Sequence, residues 1–209
     1  MNAQELADRR RFDYSVLMEM VCPAFGCEAY RDGDHLDRRA HQITDGVDAA
    51  EASTFRFTFN IPTLIGPGRF TPRTEIGVST AVTDYPRHEP RTWVISKDVP
   101  WSPHFKSGAP VCIGPEFWRP RGGHVTLGEL AIHLARLLNW DEKGRGSGYV
   151  GWNPAAISYH QQQYGGVALN PRIVYPRLPG WIHGTSPSEC EFSIVAAPQG
   201  TALAFERVR

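Results

Sequence analysis

A capping box followed by a broad leucine stripe is the strongest constraint on what this chain can fold into. Thr126 and Glu129 stand three residues apart, so hydroxyl and carboxylate can each take a backbone N–H at a helix start. Leu127, Leu130, Ala131, Leu134, Leu137 and Leu138 then trace one helical face. A stripe this wide needs an apolar surface to cover. Phe55, Phe57, Phe59 and Ile61 alternate with Arg56, Thr58 and Asn60, the period of a half-buried strand, and Ile76, Val78, Thr80 and Val82 repeat it. Trp93-Val94-Ile95 adds a short strand. Strands joined by short connections form an antiparallel meander, so the expectation is a sheet with the leucine helix on one face.

Two further helices are legible. Residues 3–21 hold no Gly or Pro, and Phe12, Val16, Leu17, Met20 and Val21 give an apolar second half, so a first helix should end before Pro23. Asn153-Pro154 is an N-cap followed by proline at the first helical position, and Gly165-Gly166 supplies a stop, which predicts a helix over 154–164. Gly66-Pro67-Gly68 is turn chemistry for a hairpin with a longer loop. Residues 31–53, rich in Asp, Gly, His and Arg without period, read as a long loop or insertion. The expected organisation is one domain over 1–181 and a C-terminal extension over 182–209. In that extension Phe192, Ile194, Leu203 and Phe205 around Pro198-Gln199-Gly200 fit a hairpin.

Composition narrows the function classes. Acidic and basic residues balance at 22 each, so the broad positive field of a nucleic-acid binder or an anionic-membrane binder is not expected. No apolar run approaches the about 18 residues of a spanning helix. The polar start, Met1 to Arg11, lacks the apolar segment of a signal peptide. The expectation is a cytoplasmic protein whose Cys22, Cys27, Cys112 and Cys190 remain thiols. Lysine is scarce, with only Lys97, Lys106 and Lys143.

From Pro100 to Arg121 the chain is irregular, dense in Pro and Gly, and carries Cys112. Tyr85-Pro86 followed by Pro90, then Ser102-Pro103-His104, Gly108, Val111-Cys112-Ile113 and Trp118-Arg119-Pro120 resemble the active-site segment of ubiquitin-conjugating enzymes. In that family a Tyr-Pro segment closes the third strand, a His-Pro-Asn tripeptide precedes the catalytic cysteine, and Trp-x-Pro leads into the second helix. Pro103 lies nine residues before Cys112, as the tripeptide requires. The resemblance covers residues 84–140 and reaches the N-terminal helix and strands only through element order. Trp152-Asn153-Pro154 through Tyr159 and Asn170-Pro171 further look like bacterial relatives encoded beside a ubiquitin-like protein, an activating enzyme and a metal-dependent peptidase, gene sets associated with phage defence.

The resemblance implies an α/β (α+β) fold of the ubiquitin-conjugating type: N-terminal helix, four-stranded antiparallel meander, cysteine loop and two further helices. It implies a transferase that accepts a modifier's C-terminus as a thioester on Cys112 and passes it to an acceptor, with no cofactor and no metal. Thioester exchange is near balance, and thiolate is a strong nucleophile without a dedicated base. Discharge is harder, because charge collects on the carbonyl oxygen and a placed donor there helps. His104 occupies the position of the family asparagine assigned that role, or that of holding the loop. The implied partners are a ubiquitin-like protein, an activating enzyme, docked through Arg9, Arg10 and Arg11 on the first helix, and an acceptor protein.

The sequence also departs from the family pattern. Ser102 replaces the tripeptide's histidine, and Asp141 and Glu142 lie a few residues too early for the acidic residue that often follows the second helix. Tyr85, Pro86, Pro90 and Trp118 read as scaffold. Cys22, Cys27, His35 and His41 could be zinc ligands, but the spacing suits a turn equally. Gly144, Gly146 and Gly148 follow a helix, not a strand, and lack the Gly-Lys-Ser/Thr of a phosphate loop. The alternatives are a cysteine hydrolase using Cys112 and a non-catalytic binding module of the same fold.

Overall fold

A computed structural model of the chain describes residues 2–31, 36, 41–44, 46–82, 84–118, 123–141 and 152–179. Helix α1 runs Ala3–Ser15 and continues as a π-helical turn, Val16–Val21, so the whole element stops before Pro23 as expected. Its start is fixed by a second capping box: Asn2 accepts from the Glu5 amide and the Glu5 side chain accepts from Asn2 N–H, both at 2.9 Å. In the wider turn Val16, Leu17 and Val21 are all buried.

Among the described residues the main sheet has five strands in the order β2-β1-β3-β6-β7, every neighbouring pair antiparallel: β1 Gly26–Tyr30, β2 Gln42–Ile43, β3 Thr54–Phe59, β6 Thr74–Ser79 and β7 Arg91–Val94. This is one strand more than the expected four, and two of the five, β1 and β2, are not among the three strands read from the sequence. The chain before the supposed insertion is a strand, and within it β2 adds a two-residue edge. The second half of 31–53 also belongs to the core, since Ala49, Ala52 and Ser53 are buried beside a 3-10 turn at Ala49–Glu51. Around Gly66-Pro67-Gly68 a separate ribbon pairs β4 Thr63–Gly66 with β5 Arg69–Thr71.

One buried cluster joins sheet and helices. Phe55, Phe57 and Phe59 are completely buried and lie opposite Val78, Ile76 and Thr74 of β6. Helix α2, Pro115–Trp118, is a single turn; α3, Leu127–Leu138, begins at the Thr126/Glu129 capping box; α4 spans Pro154–Tyr164. The leucines of α3 share the cluster with the three phenylalanines. Gly128 lets α3 approach the π-helical turn, because a Cβ there would lie 2.6 Å from Val16 Cγ1. Asn153 accepts from the Ala156 amide and Gly165 closes α4 at φ 65°, the left-handed cap expected of glycine.

Cys22 and Cys27 are joined as a disulfide, with Cα atoms 5.2 Å apart, which corrects the expectation of thiols there. The bridge ties the end of the π-helical turn to β1. Cys190, Glu142, Lys143, the 144–148 glycines, His35, Arg119, Pro120 and the proposed 182–209 extension lie outside the described residues. No helix among the described residues is long and apolar enough to cross a membrane.

Candidate active site

Cys112 stands outside the disulfide as a thiol, partly exposed, between Val111 and Ile113, which are 5% and 4% exposed. That alternation is what an extended segment produces when its neighbours face the core. The segment is held residue by residue. Val111 N–H donates to the Thr92 carbonyl of β7 at 3.0 Å, and Thr92 Oγ1 donates back to the Val111 carbonyl at 3.2 Å. Cys112 N–H donates to the His104 carbonyl at 2.9 Å, and His104 Nδ1 donates to the Cys112 carbonyl at 2.6 Å. The Ile113 carbonyl accepts from His133 Nε2 of α3 at 2.7 Å.

The tripeptide Ser102-Pro103-His104 folds as a turn. Ser102 Oγ accepts from the His104 amide at 3.2 Å, so serine's hydroxyl shapes the position where the resemblance expects histidine. His104 is 4% exposed, and Nε2 is buried with the rest of the ring. A carbonyl only accepts, so Nδ1 carries a proton and points it at the backbone of Cys112. The Nδ1–H is therefore spent on the backbone of Cys112 and is not available to an oxyanion.

Tyr85-Pro86 and Trp118 are the frame behind the segment. Trp118 is 1% exposed and donates Nε1–H to the Pro86 carbonyl at 3.1 Å; the Tyr85-Pro86 peptide is cis. Tyr85 hydroxyl donates to Asp13 Oδ2 at 2.6 Å, and the same carboxylate pairs with Arg9 Nε at 2.7 Å and accepts the Leu127 amide at 3.0 Å. Arg9 also donates to the carbonyls of Gly123 and Val125. Burial, then the charge of Asp13, pushes the Tyr85 hydroxyl well above its ordinary range. Burial works against the Arg9 guanidinium, but Asp13 and Tyr85 outweigh it and the net shift is upward.

This network removes Arg9 from the expected docking face. At 3% exposure it is an internal ligand of α1, Asp13 and the start of α3. Arg10 is half-buried, and burial lowers its guanidinium's proton affinity; Arg11 is exposed and pairs with Asp8 at 2.7 Å. Only Arg11, and Arg10 in part, can meet a partner.

On the far side, α4 lies against the turn that precedes His104. Trp152 N–H donates to the Pro103 carbonyl at 3.0 Å, and Trp101 and Tyr159 rings are 5.3 Å apart. Asp141 closes the α3 C-terminus by donating its amide to the Arg136 carbonyl at 2.9 Å. A groove of about 220 Å³ beside β7 is lined by Glu89, Pro90, Arg91, Thr92, Val111 and Ile113 among others, but not by Cys112.

His133 and Thr92 carry no signal in the sequence. His133 sits in the leucine helix between Ile132 and Leu134, where an isolated polar residue reads as solvent-facing, and Thr92 is one strand residue among many. Compared with protein-family models, with curated proteins and with solved structures, the chain matches none.

Proposed function

We propose that this protein is a carrier enzyme of the ubiquitin-conjugating type. Cys112 thiolate attacks the thioester carbonyl of a modifier held on an activating enzyme; the new C–S bond forms, the old one breaks, and the activating cysteine leaves as thiolate. An acceptor nucleophile, an amine in the simplest case, then attacks the same carbonyl, Cys112 leaves as thiolate, and the attacking group's proton goes to solvent or a nearby base. The modifier is a ubiquitin-like protein, and the pathway is bacterial antiphage defence.

The observation that carries the reading is the partly exposed Cys112 on an extended segment whose backbone is bonded at positions 111, 112 and 113. A carrier needs a thiol that large acyl donors and acceptors reach from outside, on a support that does not yield when a protein is attached. The order of α1, antiparallel strands, cysteine segment, α3 and α4 accords with it. In this reading His104 is a positioning residue for the segment.

Incubation with a ubiquitin-like protein and its activating enzyme, plus ATP, should give an adduct that thiol reductant removes. Cys112→Ser should convert it to a reductant-resistant ester or abolish it. A labile adduct that persists in Cys112→Ala would reject the assignment, and cleavage of a modifier fusion by this protein alone would favour the hydrolase.

A further inference from the structure

His133 takes no part in the proposed acyl transfer, yet it closes the support of the cysteine segment. The peptide group before Cys112 is held by His104 and Thr92, and the one after it by His104 Nδ1. The next peptide, Ile113 to Gly114, is held at its carbonyl by His133 Nε2. Beyond it Gly114 has φ 83°, in the left-handed region, so the chain leaves the segment through the residue with the least backbone preference of its own. The Gly114 carbonyl accepts Phe117 N–H at 3.1 Å, a bond local to that turn, so the tie from the exit to another element comes from His133. The His133 ring lies flat on Phe117, centroids 3.9 Å apart and planes within 5°, which fixes the direction of its Nε2–H. His133 itself stands between Ile132 and Leu134 on α3, whose leucines are buried.

We infer that His133 is a positioning residue for Cys112, coupling the exit of the cysteine segment to the rigid helix α3 and so holding the direction of the thiol. Its effect on acyl transfer rests on the carrier reading; the positioning itself does not, because it can be read on the thiol alone.

The test compares wild type, His133→Leu, which removes the donor and keeps much of the bulk, and His133→Gln, which returns an N–H donor. Iodoacetamide alkylation of Cys112 is followed residue by residue with mass spectrometry on the native protein, together with hydrogen exchange across 111–118. The leucine variant should change the alkylation rate by about threefold or more and speed exchange of the 111–118 amides while α3 stays protected. Glutamine should restore both to within about a factor of two. Unchanged alkylation and exchange in the leucine variant, or equal effects of leucine and glutamine, overturn the inference. If the leucine variant does not fold, Phe117→Leu removes the stack with His133 in place, and the same two measurements decide in the same directions. Discharge of a loaded thioester should slow about tenfold in His133→Leu, the cost of a misaimed reacting group. If alkylation responds but no protein forms a thioester, the positioning stands and the carrier reading falls. Normal loading and discharge with unmoved alkylation leave the carrier reading standing and remove His133 from the support of the thiol.

Discussion

His104 and Cys112 are bonded to each other twice: the cysteine amide donates to the histidine carbonyl at 2.9 Å, and His104 Nδ1 donates to the cysteine carbonyl at 2.6 Å. This reciprocal pair makes the turn at Ser102-Pro103-His104 and the cysteine segment one unit. If His104 pins the segment, His104→Ala should lower loading of Cys112 and global stability together, the latter by about 1–3 kcal/mol for a buried carbonyl left without its donor. Denaturant midpoints and single-turnover loading measure the two effects. Full stability and loading with a selective loss of discharge would return His104 to the oxyanion.

The three arginines of α1 should separate cleanly. Arg9→Met leaves Asp13 buried without its cation and should cost about 3–5 kcal/mol, lowered in part because Tyr85 and the Leu127 amide still donate to Asp13. Arg11→Glu with Arg10→Glu should change stability far less and instead slow loading by the activating enzyme, more at low salt than at high, since screening shortens to about 8 Å at physiological ionic strength. Loading kinetics against salt, with thermal unfolding as control, checks both. A loading rate that ignores the double reversal rejects the docking face.

Tyr85 predicts an alkaline limb of stability. Its hydroxyl is held protonated in the fold, by burial first and by Asp13 second, while in the unfolded chain it ionises near about pH 10. Above that pH the unfolded state binds fewer protons, so unfolding free energy falls as pH rises, by up to about 1.4 kcal/mol per pH unit for this group. Below it the contribution is fully present. Tyr175, half-buried and pushed up to about 12, acts in the same sense. Tyr85→Phe should therefore be less stable at neutral pH, by about 1.5–3 kcal/mol for a hydrogen bond to a charged group. Its stability should also fall less steeply above pH 10. Urea unfolding from pH 8 to 11 gives both values, and parallel curves for the two proteins would show that Tyr85 does not titrate with unfolding.

What was legible in the sequence was local. The Thr126/Glu129 box, the Asn153 cap and the Gly165 stop each involve groups within about four residues, so spacing alone exposes them. The phenylalanine alternation of β3 was legible because one face of the strand is wholly buried. Strand β1 was not, since Gly26-Cys27-Glu28-Ala29-Tyr30 buries only Ala29 and Tyr30 and takes its conformation from pairing with β3. Arg9 in a run of three arginines looks solvated, because its partners Tyr85, Gly123 and Val125 lie far along the chain. Cys112 is proposed from its motif, whereas the hold of His133 on Ile113 spans twenty residues and exists only after α3 has packed.

Lys106 should be the principal site of self-modification. It is exposed and lies two residues beyond His104, whose carbonyl is bonded to the amide of Cys112, so its backbone is within about 7 Å of chain length from that contact. The Lys106 carbonyl accepts from Ala109 N–H at 3.2 Å, which closes the turn between His104 and the cysteine segment. A flexible side chain on a short tether gives its amine an effective concentration in the millimolar range or above, enough to compete with an acceptor in dilute solution. A loaded enzyme left without acceptor should lose its thioester with the appearance of a reductant-stable adduct whose branched peptide maps to Lys106. The rate should not depend on protein concentration, because the transfer occurs within one chain. Lys106→Arg should slow this loss several-fold while leaving loading and transfer to an added acceptor intact. An adduct mapping mainly to Lys97 or Lys143 would show that reach, and not proximity along the chain, decides, and a rate that rises with enzyme concentration would show that transfer runs between molecules.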